Sequence, residues 1–162
     1  MVDKFTIEEQ PDAAKEVLRL LEYNDIAYTE EGGTYYMTFS DGMHKWETRI
    51  HVEGQRVLIC SAYPYLISTL PNASAVPEAA SALPENEAQA AAAVLMDRIN
   101  EINAELAEGA LFIHGDRIIV RTGADLFDAF SAYEQLARAL EYNAEVLAGY
   151  WSELLIMSIC RK

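Results

Sequence analysis

The chain has 162 residues, about half of them apolar, and a formal charge of −14. Its twelve Lys and Arg are scattered from Lys4 to Lys162 without forming a stripe, which excludes the clustered basic surface that phosphate backbones require. Two cysteines, Cys60 and Cys160, are too far apart for a CxxC motif and too few for a disulfide framework.

A first helix is expected from Pro11, since proline suits the first helical position. Ala14, Val17, Leu18 and Leu21 then recur at the spacing of one buried face, and Asn24-Asp25 ends the run. A short strand is predicted over Ile26–Glu30. Gly32-Gly33 leads into a second over Thr34–Ser40, and Asp41-Gly42 signals a hairpin. Lys45–Val52 alternates, with Trp46, Thr48, Ile50 and Val52 on one face and Lys45, Glu47, Arg49 and His51 on the other. That is the pattern of an antiparallel strand with one wet face. Glu53-Gly54 turns into Arg56–Ala62, which is apolar on both faces and is expected to be central or covered on both sides.

Residues 68–84 are rich in Pro, Ala and Ser and read as an internal connecting segment. Pro84 opens a long helix in which Ala88, Ala92, Leu95, Ile99, Ile102 and Leu106 form a narrow apolar seam. Gly109 stands where a helix end favours positive φ. Ala110–His114 and Arg117–Thr122 form a hairpin around Gly115-Asp116. The last helical region runs from about Leu126 to Ser158. Ser131-x-x-Glu134 has the form of a capping box near its start, and Gly149 is a point of bending. The order α-β-β-β-β-α-β-β-α describes an α+β fold: an antiparallel sheet with helices packed on one side. The length suits one domain spanning 1–162.

The stretch from Arg98 to Phe112, followed by Val120-Arg121, resembles the YbjN-domain family. That family has an Asn-x-x-Leu-x-x-Gly turn from its central helix into a hairpin; here the residues are Asn103, Leu106 and Gly109. The element order is similar to the type III secretion chaperone fold, to which YbjN domains are related. The resemblance covers Ala27 to about Leu155. It implies a small acidic homodimer that binds extended segments of other proteins. YbjN-like proteins are often labelled sensory-transduction regulators. These families carry no catalytic motif, so the resemblance assigns no catalytic residue.

Asp97, Glu101, Glu105 and Glu108 recur at spacings of 4, 4 and 3 along the central helix. Like charges so placed oppose helix formation by a few tenths of a kcal/mol per pair. The stripe is either a solvated face or a receptor for a basic or extended partner segment. Tyr35, Tyr36, Tyr63 and Tyr65 concentrate aromatics near the sheet, and Tyr36 is the candidate for partner contact. The run Leu154–Cys160 is apolar around the whole circumference. Some of it, with Leu155, Ile156 and Ile159 as candidates, is expected to pack within the chain or against a second copy.

His44, His51 and His114 have no metal-ligand spacing. Ser61 and Ser152 lack a nucleophile elbow. Asp41 and His44 lie close enough at a hairpin tip to form an acid/base pair, although turn chemistry alone accounts for Asp41-Gly42. The opening residues lack the apolar core of a signal peptide, and no apolar run approaches the ~20 residues of a membrane span. The expectation is a cytoplasmic, non-catalytic, homodimeric protein-binding module, chaperone-like or regulatory, without metal or cofactor and with no affinity for nucleic acid or membrane. The alternative is a small-molecule sensor or enzyme with its pocket between sheet and helices.

Overall fold

The structure, a computed structural model, describes residues 10–64 and 85–159. The connecting segment 68–84, Tyr65 and Cys160 lie outside the described residues, as do Pro84 and the side chains of Ala88 and Ile159. The elements are α1 (Ala13–Tyr23), β1 (Tyr28–Glu31), β2 (Thr34–Ser40), β3 (Lys45–Glu53), β4 (Arg56–Ala62), α2 (Glu85–Glu105), β5 (Ala110–His114), β6 (Arg117–Asp125), α3 (Ala132–Gly149) and α4 (Trp151–Ile159).

Helix α1 starts later than its proline suggests. Asp12 is extended (φ −82°, ψ 102°), and its carboxylate accepts from the Lys15 N–H at 3.2 Å. That is the work of an N-cap, so Pro11 stands one residue before the cap. Val17, Leu20 and Leu21 are buried, while Ala14 and Leu18 are only half-buried. The apolar face is thus rotated slightly from the expected one. At the far end Asp25 takes φ +52° and turns the chain into β1.

The final helical region is two helices, broken at Tyr150 just after Gly149. The expected capping box does not form. Ser131 has helical backbone angles and makes no cap with its side chain. Its hydroxyl instead donates to Asp128 Oδ2 at 2.9 Å and accepts from Gln135 Nε2 at 2.7 Å. A carboxylate three residues upstream draws the hydroxyl away from the backbone amides.

The strands form one six-stranded sheet in the order β1-β2-β3-β4-β6-β5, antiparallel throughout. Between β4 and β5 the chain passes through α2 to reach the far edge, then returns along β6 to pair with β4. The helices pack on one face. Near α1 the core holds Val17, Leu20, Leu21, Tyr35, Ile50, Ile59 and Leu136. A second cluster joins Leu95, Ile99 and Ile102 of α2 to Leu111, Ile118, Val120, Leu147, Leu154 and Trp151. Each fully buried aliphatic side chain contributes about 1.5–3 kcal/mol, so both clusters are substantial. Strand β4 is central, as expected, and among the described residues helices cover one of its sides.

Between the clusters runs a buried polar seam. Thr48 and Ser61 hydrogen-bond across β3 and β4 at 2.7 Å. The Asn143 amide nitrogen of α3 lies 3.3 Å from Ile59 O, 3.2 Å from Val120 O and 3.2 Å from Thr122 Oγ1. Thr122 Oγ1 donates in turn to Ala139 O at 2.9 Å. These bonds tie α3 to β4 and β6 at one register.

The Asn-x-x-Leu-x-x-Gly segment has a mechanical role. Asn103 donates from Nδ2 to Leu111 O at 2.9 Å and accepts the Leu111 N–H on Oδ1 at 2.7 Å. The side chain thereby imitates a neighbouring strand along β5. Gly109 adopts φ +79°, and a Cβ there would collide with the Arg121 carbonyl oxygen. Leu106 packs against the second cluster. Asn103→Ala is expected to destabilise the protein by about 1–3 kcal/mol through two orphaned backbone groups. Gly109→Ala should cost a similar amount, about 1–3 kcal/mol, from backbone strain. Urea unfolding followed by circular dichroism measures both; a midpoint unchanged in either variant would count against this reading of the turn.

Candidate binding face

Helices cover one face of the sheet; among the described residues nothing covers the other. Strand pairing places the side chains of that open face in rows. One row runs Thr29, Tyr36, Arg49, Cys60, Arg121 and Ala110 across all six strands. The next runs Thr38, Glu47, Ala62, Ile119 and Phe112. A third contains Thr34, His51, Leu58 and Gly123. The middle of the face is therefore apolar: Leu58, Cys60 and Ala62 on β4, with Ile119 and Phe112 beside them. Sheets with one solvated face normally alternate apolar and polar residues, and β4 departs from that rule on its open side.

The face is concave. A depression of about 690 Å³ is lined by Tyr36, Thr38, Arg49, Cys60, His114 and Ile119, among others. Tyr36 is 43% exposed at one side of it. Charge here differs from that of the whole chain. Lys45, Arg49, Arg56, Arg117 and Arg121 point to this side, against Glu31, Glu47, Glu53 and Asp125. Arg117 pairs with Glu47 at 3.4 Å and Arg56 with Asp125 at 3.6 Å. Arg121 lies over the Phe112 ring, 5.4 Å from its centroid. Neither Arg49 nor Arg121 has an ion-pair partner among the described residues.

The other sequence candidates lie elsewhere. Asp97, Glu101 and Glu105 sit on the outer side of α2, exposed, and Glu108 lies in the turn beyond the helix end. Glu101 is engaged by Arg98 at 3.0 Å, and the Arg98 guanidinium also forks onto Glu153 of α4 at 2.6 and 3.3 Å. The fork holds the Glu153 carboxyl below its ordinary range. Of the α4 candidates, Leu155 is half-buried and Ile156 is 56% exposed. Tyr35 and Tyr63 are buried in the helical side, and Tyr63 donates its hydroxyl to Leu147 O at 2.9 Å. The pocket of the alternative reading corresponds to a smaller depression of about 350 Å³ between α1, α3 and the β2–β3 hairpin, with Leu20, Phe39, Trp46, Leu140 and Asn143 in its walls. Asn143 Oδ1 is buried there without a partner among the described residues. Among the described residues no three His, Cys, Asp or Glu side chains converge as metal ligands, and no helix is long and apolar enough to cross a membrane.

Asp41 and His44 do meet, with His44 Nδ1 at 2.8 Å from Asp41 Oδ2. The other carboxylate oxygen accepts the backbone N–H groups of Met43 and His44 at 2.9 and 2.7 Å. The His44 ring then rests on Trp151, with centroids 4.3 Å apart. The arrangement closes the β2–β3 turn and fixes it against α4.

No protein-family model matches the chain, and no curated protein does either. Among solved structures it is similar to the crystal structure of YbjN from E. coli, described as a candidate transcription regulator. The likeness covers 86% of this chain and 91% of that one, with a TM-score of 0.55 and 13% sequence identity. The chain has a YbjN-like α+β fold, and at this identity the fold is what the two share.

The His44 hydrogen bond, followed by the two backbone donors, lowers the Asp41 pKa from 3.8 to about 2. A carboxyl depressed in the folded state contributes stability above its unfolded value, and that contribution is lost as pH falls through the folded value. The stability advantage of the native protein over Asp41→Asn should therefore shrink from pH 3.8 downward and vanish near pH 2. In carbon-detected NMR titration the Asp41 carboxyl should shift toward the ordinary range in His44→Ala. A native midpoint near 4 would contradict the turn geometry.

Proposed function

We propose that this chain is a non-catalytic protein-binding module, chaperone-like or regulatory, which receives its partner on the uncovered face of the sheet. The observation that carries this reading is the apolar strip of half-buried Leu58, Cys60, Ala62 and Phe112 around buried Ile119, of which Cys60, Ala62 and Ile119 line the depression together with Tyr36. Contiguous apolar surface with a polar rim marks interaction sites, and tyrosine is enriched at them. Strand β1, at one sheet edge, is short, at 4 residues, and offers backbone groups that an extended partner can extend, whereas at the other edge Asn103 already occupies the Leu111 backbone of β5. The YbjN-like fold, in a neighbour described as a candidate regulator, agrees with a binding role. The acidic residues of α2 supply charge on the opposite layer and serve in this reading as a second contact for basic segments.

A photoreactive phenylalanine analogue in place of Tyr36 should capture a discrete partner in cells, whereas the same group at exposed Tyr23 of α1 should not. Adding Leu58→Lys should abolish the capture. Equal yields from both positions, or indifference to Leu58→Lys, would remove the sheet face from the proposal.

The same reading places a second copy of the chain against α4. Ile156 leaves an apolar side chain in solvent beside half-buried Leu155 and Met157. Light scattering at micromolar concentration should give twice the chain mass for the native protein and the single mass for Ile156→Glu. A native protein of single mass would sink the dimer.

A further inference from the structure

Resting on the sheet face as the binding site, we infer that its occupant is an extended acidic polypeptide segment, held by Arg49 and Arg121 on either side of Cys60. The chain carries 26 Asp and Glu against 12 Lys and Arg; among the described residues Lys15, Arg19, Arg56, Arg98 and Arg117 are ion-paired, while Lys45 and Arg138 are exposed without an ion pair. Arg49 and Arg121 are likewise without an ion pair among the described residues, on a face where the neighbouring arginines are paired. Glu47, two residues from Arg49 on the same strand and face, is taken by Arg117. Stacking on Phe112 holds the Arg121 guanidinium against the sheet, which lowers the entropy lost when it grips a ligand. An unpaired guanidinium is a fork for carboxylates, and the apolar strip between the two forks accepts the aliphatic side chains of the same segment.

The spacing selects the occupant further. Arg49 and Arg121 lie on strands flanking β4, in register through Cys60, so their backbones are separated by two strand spacings, about 9.5 Å. A polyproline-type chain rises about 3.1 Å per residue with three residues per turn, so acidic residues three apart share a face about 9 Å apart. A phosphate polymer fits less well. Its charge density is far greater than two carboxylates, and the acidic remainder of the chain repels it in proportion.

The test uses the full chain carrying Cys160→Ser, which leaves Cys60 as its remaining cysteine. A fluorescent synthetic peptide with glutamate at every third position is compared with its lysine and glutamine counterparts and with a single-stranded oligonucleotide. Anisotropy reads affinity, and the rate of Cys60 alkylation reads occupancy of the face. The glutamate peptide should bind and slow alkylation. Arg49→Gln and Arg121→Gln should each weaken binding by about three- to tenfold, and together should restore fast alkylation. Arg49→Lys and Arg121→Lys, which keep the charge and lose the fork, should fall between. A glutamate peptide that does not bind, or binds the double Gln variant equally, overturns the inference. So does stronger shielding of Cys60 by the oligonucleotide. Shielding by the lysine peptide alone would also overturn it, while leaving the sheet face standing as a binding site.

Discussion

The amide of Asn103 meets the backbone of Leu111 through both its donor and its acceptor, and that pair sets where β5 begins. The β5 side of the open face depends on the setting. A strand slipped by one residue turns every side chain to the other side of the sheet. With Leu111 held inward, Phe112 faces out, and pairing with β6 then brings Ile119 and Arg121 out beside it. A slip would turn Phe112 toward the helices and expose Leu111 and Ile113, while β6 keeps its own facing through its pairing with β4. Gly109 contributes by letting the backbone pass close to Arg121, a path open only to a residue without a Cβ.

The second determinant of register lies in the interior. Apolar packing is tolerant of small displacements, but hydrogen bonds are directional. The Asn143 amide reaches acceptors on β4 and β6 at once, and Thr122 closes the circuit back to α3. A buried network of this kind favours a single arrangement because any displaced alternative strands polar groups away from water. The two apolar clusters supply most of the cohesion, while the seam between them fixes which residues of α3 oppose which strands. The Arg98–Glu153 fork does the corresponding work between α2 and α4 at the surface.

Local chemistry was legible in the chain. The bounds of β2 follow from period-two alternation, those of β4 and β5 from apolar runs bounded by turn glycines, and α2 follows from its apolar seam. Element ends were less legible where side chains compete. Asp12 caps α1 because its carboxylate reaches Lys15, which moves the start past Pro11. Ser131 fails as a cap because Asp128 claims its hydroxyl. Neither competition shows in a motif. The proposed binding face is not legible in the chain for a different reason. Arg49 and Arg121 are 72 positions apart, and only strand pairing makes them members of one row. Apolar residues on both faces of β4 fit a strand that is central or covered twice, and the strand is central. The described helices all pack on one face of the sheet. Tyr36 was singled out for its aromatic surface and does stand on the open face, whereas the residues beside it required the register.

Charge is divided between the two layers of this molecule. The exposed carboxylates of α2 and α3 lie on the helical side, while the sheet side is close to balanced. Such a protein has a front and a back to anything that senses electric potential. Approaching a positively charged surface, it turns its helices toward that surface and leaves the sheet pointing into solution. Under the proposed binding role, an orientation set by the helical layer leaves the sheet face free.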